Sequence, residues 1–215
     1  MTARTRIKIC GVSRPEDVAA AVDAGADAIG LVFHPGSPRH VSLERAARLA
    51  GALPPYVTPV GLFVNAEAQA IASAVAAIPN LVLQFHGDES PVACAASGRS
   101  FLKAARMAPG FDLLDFARRF SQAQGLLLDA HVETYGGSGK VFDWSLVPRG
   151  VPHRLVLSGG LHAGNVGSGI LEVRPWAVDV SSGVESARGV KDAAAIRAFC
   201  DAVREADSRI DASTS

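Results

Sequence analysis

The chain has 215 residues, 48% hydrophobic, 20% charged and 6% aromatic, which suits one compact domain with a substantial core rather than two small ones. Its 21 Lys and Arg balance 21 Asp and Glu, so no overall basic field exists to gather nucleic acid or anionic lipid, and any anion must be held locally. The opening MTARTRIKIC is basic but lacks the apolar stretch of a signal peptide, and the longest charge-free run, residues 68–85, is broken by Pro79-Asn80, so a cytoplasmic location is expected.

Eight short apolar runs follow one another: RIKIC, AIGLVF, TPVGLFV, LVLQFH, FLKAA, GLLLDA, RLVLSGG and AVDVSSG. They are nearly continuously apolar rather than alternating, the pattern of strands covered on both faces. Helix-like segments lie between most of them. Residues 13–24 open with Ser13 and Glu16 at capping-box spacing and stop before Gly25, a C′ position. Residues 66–78 are rich in Ala and open after Asn65, a good N-cap. Between the sixth and seventh runs, Gly136, Gly137 and Gly139 form a loop that reads as a lid. Residues 192–205 place Ile196, Phe199, Cys200 and Val203 on one face, which makes Cys200 a core residue. After about Ala206 the sequence DSRIDASTS reads as a frayed polar tail, so the expected division is a catalytic domain over 1–206 and a tail over 207–215.

Eight alternations of strand and helix fit a single-domain (β/α)8 TIM barrel, with an open doubly wound sheet as the alternative. Polar residues favour the barrel. Cys10, His34, Asn65, His86, Asp129, Ser158 and Ser181 stand where the apolar runs end, and a barrel brings those ends together at its C-terminal mouth.

LSGGL (157–161) and VDVSSGVE (178–185) end the last two runs, where barrels commonly bind phosphate through backbone N–H groups; otherwise Gly159, Gly160 and Gly183 merely permit tight turns. Asp129 follows GLLL directly, either as a turn aspartate or as a carboxyl whose pKa burial raises toward neutrality, with a nearby thiolate or phosphate pushing the same way. Cys10 is either a small core residue or a working thiol. The three cysteines, Cys10, Cys94 and Cys200, show no CxxC spacing, so neither a disulfide framework nor a zinc site is indicated. His86 is a donor to a ligand or a satisfied histidine, and Arg39, in HPGSPRHVS, is a solvated charge or a carboxylate-binding guanidinium. Lys103, inside FLKAA, needs a partner and is expected to face the mouth.

Taken together, KICG, GADAIGLVFHPGSPRHVS, PVGLFVN, LQFHGDES, LLLDA with GGSGKVFDW, LSGGL and VDVSSGVES resemble the phosphoribosylanthranilate isomerases over residues 6 to about 205. The resemblance implies a TIM barrel and a cofactor-free, metal-free Amadori rearrangement in tryptophan biosynthesis. Asp129 then stands as general acid, Cys10 as general base, Arg39 near the anthranilate carboxylate and Asp179 near the ribose hydroxyls. His86 is a further substrate contact. Gly159, Gly160, Ser181, Ser182 and Gly183 fall in the phosphate loops. The implied partner is a small phosphorylated substrate, with no nucleic acid or membrane, and the assembly is a monomer or homodimer. His34, Phe85, Ser138 and Ser158 differ from residues usual in the family, and none of these changes removes a catalytic group.

Rival readings have less support. A related isomerase of an aminoimidazole carboxamide ribotide typically uses an aspartate near the first strand, where this chain has Cys10. A non-catalytic phosphate-binding barrel has no need of Cys10 and Asp129 together. A thiol redox protein lacks a resolving cysteine nearby in sequence.

Overall fold

The computed structural model describes residues 4–130 and 141–214, with side chains as far as residue 212; the loop around Gly136 to Gly139 singled out as a lid lies outside the described residues. Eight parallel strands close in sequence order into a barrel. They are β1 (Arg6–Cys10), β2 (Ala28–Val32), β3 (Thr58–Phe63), β4 (Val82–Phe85), β5 (Phe101–Met107), β6 (Gly125–Ala130), β7 (Arg154–Leu157) and β8 (Ala177–Val180). The barrel is sealed by β1 against β8, with Ile7 opposite Val178 and Lys8 opposite Asp179. Around it run α1 (Pro15–Asp23), α2 (Leu43–Gly51), α3 (Ala68–Ala77), α4 (Pro91–Ala95), α5 (Leu113–Arg119), α6 (Val166–Val173) and α7 (Ala193–Thr214). A 3-10 turn, Trp144–Leu146, is the helical element among the described residues between β6 and β7, while a small antiparallel ribbon, β9 (Glu185–Ala187) with β10 (Val190–Lys191), precedes α7.

Each strand divides its side chains between two faces, because successive Cβ atoms point to opposite sides. Ile7, Ile9, Leu83, Phe85, Phe101, Ala105, Met107, Leu126, Leu128 and Val178 join the main core shared with the helices. Ala104, Leu127, Val156 and Ala177 form a separate small cluster inside the barrel, with Trp176 beneath. By that alternation Lys8, Cys10, Gln84, His86, Arg106, Asp129 and Asp179 project into the interior. Lys103 does not. It shares the outer face of β5 with Phe101 and Ala105, donates to the Gly87 carbonyl (2.6 Å) and to Glu89 (2.8 Å), and lies 5.5 Å from the Phe120 ring centroid. The expectation that it faces the mouth is therefore corrected, although the expected acidic partner is present.

Three local expectations also change. Helix α1 starts at Pro15, whose fixed φ and missing N–H suit a first helical position, so the third residue is Asp17 rather than Glu16. The Asp17 carboxylate accepts from the N–H groups of Ser13 (3.3 Å) and Arg14 (3.2 Å). Gly25 follows the helix end with φ +82°, as a C′ glycine should. Asn65 is not the N-cap of α3, which begins after Glu67. It instead ties two mouth loops together, its Oδ1 accepting from Asp88 N–H (2.7 Å) and its own N–H donating to Glu89 (2.8 Å). The segment expected to fray after Ala206 continues α7 to Thr214. Asp207 anchors it by accepting from the N–H (2.8 Å) and the hydroxyl (2.7 Å) of Thr5, just before β1. Cys200 is core as expected, fully buried with Ile196, Phe199 and Val203.

Candidate active site

The interior below the mouth is apolar, but the upper layer is almost wholly polar. Lys8 and Asp179, both buried, form an ion pair with Nζ 2.8 Å from Oδ1. Cys10 stands two residues further up the same face of β1, opposite Gly30 of β2. A Cβ on Gly30 would lie 2.7 Å from the Cys10 sulfur and 3.1 Å from Lys8 Nζ, which places thiol and ammonium around one point. On β6, Asp129 is partly buried and accepts from the N–H of Ala130 (2.9 Å), with Arg106 opposite it on β5.

Electrostatics separates these groups. Burial pushes the Asp129 carboxyl up to about 6; the neighbouring charge on Asp179 adds to this, while the Ala130 N–H, Arg106 and Lys8 oppose it. The charge that adds to burial is thus the Asp179 carboxylate. Burial also raises the Cys10 thiol above its ordinary value, with Lys8 as the main opposing influence. His86 is pushed down to about 3 by burial and by Lys8, Lys103 and Arg106, so it is neutral at physiological pH. Its Nε2 lies 2.5 Å from Gln84 Nε2, an arrangement in which the amide donates and the remaining proton sits on Nδ1.

The two glycine-rich loops meet, as expected. A Cβ on Gly183 would lie 1.9 Å from the Leu161 carbonyl oxygen, and one on Gly159 would lie 2.6 Å from Ala130 N and 3.1 Å from Asp129 Oδ1. The β7 loop therefore abuts the acid on one side and the β8 loop on the other. Gly159, Gly160, Ser181 and Ser182 are partly exposed and Gly183 is exposed, so the seam opens to solvent. Ser181 heads the 3-10 turn Ser182–Val184. Beneath it lies a cation that the loop motifs themselves do not contain. Lys191 Nζ donates to Ser181 O (3.0 Å), Ser181 Oγ (3.3 Å) and Glu185 (2.8 Å).

Arg39 is neither solvated nor free. It is buried and clamps Glu185 with Nε (2.7 Å) and Nη2 (2.8 Å), with Nη1 outside that clasp. Its stem crosses directly over Gly11, where a Cβ would come within 2.4 Å of Arg39 Cδ, so the side chain packs on the turn that follows Cys10.

A mouth with a near-neutral carboxyl, a thiol, a neutral imidazole, an arginine and amide-lined loops is suited to proton transfers on a small anionic molecule. A family model described as N-(5'-phosphoribosyl)anthranilate (PRA) isomerase matches residues 7–202. The chain belongs to this isomerase family. The family's member in Leptothrix cholodnii is 68% identical over 213 residues, covering 99% of this chain and 97% of its own. Among solved structures, monomers generated from the dimeric phosphoribosylanthranilate isomerase of Thermotoga maritima match with TM-score 0.81 and 38% identity, over 94% of this chain and 99% of theirs. A phosphoribosylanthranilate isomerase in complex with reduced 1-(o-carboxyphenylamino)-1-deoxyribulose 5-phosphate matches with TM-score 0.79 and 38% identity, again over 94% and 99%. Family membership agrees with the barrel that the apolar runs imply.

Sequence reasoning passes over Lys8, Gln84, Arg106, Glu185 and Lys191. Lys8 has a signal in the sequence, since a lysine between Ile7 and Ile9 in an apolar strand needs a partner just as Lys103 does. Gln84, between Leu83 and Phe85, and Arg106, between Ala105 and Met107, carry a similar signal, whereas Glu185 and Lys191 sit in ordinary polar contexts and only the barrel brings them to the mouth.

Proposed function

We propose that this member of the family isomerises N-(5'-phosphoribosyl)anthranilate to 1-(o-carboxyphenylamino)-1-deoxyribulose 5-phosphate in tryptophan biosynthesis, with Asp129 as general acid and Cys10 as general base. The observation that carries the roles is the separation of two proton-carrying groups within one mouth: a carboxyl raised to about 6 on β6 and a thiol beside an ammonium on β1. With a pKa of about 6, roughly a tenth of Asp129 is protonated at pH 7, against about a thousandth for an ordinary aspartate near 3.9.

In this reading Asp129 protonates the furanose ring oxygen, and the ring opens to an iminium. That cation acidifies the C2′ proton, which the Cys10 thiolate removes, giving an enolamine and a neutral thiol. Protonation at C1′ and loss of the 2′-hydroxyl proton then give the ketone and complete the transfer of hydrogen from C2′ to C1′, and no step calls for a metal or nucleotide. The Nη1 edge of Arg39 meets the anthranilate carboxylate, held in direction by its bidentate clasp on Glu185. Asp179 keeps Oδ2 for the ribose hydroxyls while Oδ1 accepts from Lys8. Neutral His86 offers Nδ1–H to the substrate. The phosphate sits on the N–H groups of Gly159, Gly160, Ser181, Ser182 and Gly183, with Lys191 adding positive charge from beneath. A monomer or homodimer in the cytoplasm completes the proposal; among the described residues no helix is long and apolar enough to cross a membrane.

Purified protein is expected to consume the fluorescence of freshly prepared phosphoribosylanthranilate at the same rate with and without EDTA. Ligand binding without turnover would favour a binding module instead. A second expectation concerns the phosphate seam. Gly183→Ala drives a methyl into the Leu161 carbonyl and forces the loops apart. KM for the phosphorylated substrate should rise about tenfold, roughly 1.4 kcal/mol of binding, with a smaller change in kcat. Steady-state kinetics checks the split, and an unchanged KM would remove Gly183 from the phosphate site.

A further inference from the structure

Lys8 stands at the centre of the charged layer, yet the roles above leave it without one. It is buried, it is the register partner of Asp179 across the seam that closes the barrel, and its ammonium reaches up the interior to the level of Cys10. A buried ion pair contributes little to stability beyond what apolar side chains of similar volume provide, because desolvation offsets the attraction. The layer just below, built from Leu127, Val156 and Ala177, is apolar and packs without one. Closure of the barrel therefore does not explain the lysine.

The difficulty at this site is the base. A thiolate taken out of water loses its hydration, and the buried Cys10 pocket raises the thiol for that reason. Something must replace water around the sulfur. The charged groups that bear on it are Lys8 on its own strand, Asp179 on β8 and Lys191 on β10. Asp179 repels a thiolate, and Lys191 is committed to Glu185 and Ser181. Lys8 has one oxygen of Asp179 at 2.8 Å and further N–H donors for the sulfur that shares its surroundings at Gly30. Asp129 and Arg106 face the same layer from β6 and β5, and His86 is neutral there.

We propose that Lys8 is a positioning residue of the isomerisation: its ammonium, aimed by Asp179, is the counter-charge that lets Cys10 ionise in a water-poor site and holds the sulfur toward the C2′ proton. This rests on the assignment of Cys10 as base. It makes KIC at residues 8–10 a functional pair of alternate residues on one strand face, with Gly30 as the space in which they meet.

The test follows the thiol directly and not only through turnover. Ligand-free protein is treated with iodoacetamide across pH, and modification of Cys10 is read by peptide mass spectrometry. Lys8→Met should move the alkylation midpoint upward by about one pH unit or more, and slow modification at pH 8 about tenfold. kcat should fall at least tenfold with KM within about threefold. Lys8→Arg, which keeps the charge, should restore the midpoint to within about half a unit. Should Lys8→Met fail to fold, Lys8→Met/Asp179→Asn removes both charges together, and its midpoint should still lie above wild type. An unmoved midpoint in either Met variant, or Lys8→Arg as impaired as Lys8→Met, overturns the proposal and leaves Lys8 a structural ion pair. Failure of the base assignment shows separately, as full turnover by Cys10→Ala.

Discussion

Asp129→Asn is expected to lose about three orders of magnitude in kcat, within the range supplied by a positioned general acid, while becoming more stable than wild type above pH 6. Asn keeps an oxygen to accept the Ala130 N–H, so the local fold is retained, but it has no proton to deliver to the ring oxygen. The stability gain follows from the raised pKa. A carboxyl near 3.9 in the unfolded chain and about 6 in the folded one is protonated preferentially in the folded state. Its contribution is therefore fully favourable below about pH 4 and is lost as pH rises through 6. Over that window the wild type gives up about 3 kcal/mol that a non-ionising side chain does not. Thermal melts of both proteins should converge near pH 4 and separate above pH 6, with the variant higher. A variant less stable at pH 8 would show that the carboxylate is held by interactions stronger than its burial, and retained activity would remove Asp129 from the mechanism.

Cys10→Ala is expected to lower kcat by a similar factor, about a thousandfold, while the reduced product analogue still binds. The two assignments together also determine a pH profile. In the free protein at neutral pH the prevailing form has Asp129 ionised and Cys10 protonated, since burial raises the thiol and leaves the carboxyl at about 6. The working form carries the proton on Asp129 and the charge on Cys10. Both forms contain one proton, so their ratio is constant between the two pKa values and kcat/KM should be flat from about 6 to the raised thiol value. Below about 6 activity falls because the thiolate must now compete with a doubly protonated site. The break near 6 thus marks the general acid: in Asp129→Asn the thiolate still competes with its protonated form, so the rise should run on past 6 toward the raised thiol value. The substrate phosphate also titrates near 6 and gives both proteins the same contribution, so the difference between their kcat/KM profiles is the measurement. Profiles that level off alike above about 6 would contradict the assignment.

These expectations describe a site that spends stability on chemistry. Asp129 is held where its charge is disfavoured, Cys10 where its thiolate is disfavoured, and Gln84 Oε1 is buried without a hydrogen bond among the described residues. All three lie on the interior face of the same strand ends. The outer face of the same strands shows the opposite policy, with Lys103 paired with Glu89 and bonded to the Gly87 carbonyl.

Much of this is legible in the amino-acid sequence. Each of the eight apolar runs coincides with one barrel strand, because only strands covered on both faces sustain such runs between helical segments. Parallel closure then obliges every strand to end at the same mouth, so Cys10, His86, Asp129 and the two glycine-rich loops are identifiable as neighbours from their positions alone. The same continuity hides the faces. A run such as FLKAARM has no alternation to show that Lys103 looks outward and Arg106 inward; the packing of Phe101, Ala105 and Met107 against the helices decides that. Helix ends are obscured where a local bond competes with a tertiary one, as when Asn65 binds the next loop instead of capping α3. Above all, pairings between residues far apart in the chain depend on strand register. Lys8 meets Asp179 only because β1 closes on β8 in that register, and Arg39 meets Glu185 only because the ribbon after β8 folds back toward the loop after β2. The order of residues is enough to establish which elements form and which groups gather at the mouth. Which charge faces which is a property of the folded barrel, because Coulomb and desolvation energies depend on distances of a few ångströms that no local pattern encodes.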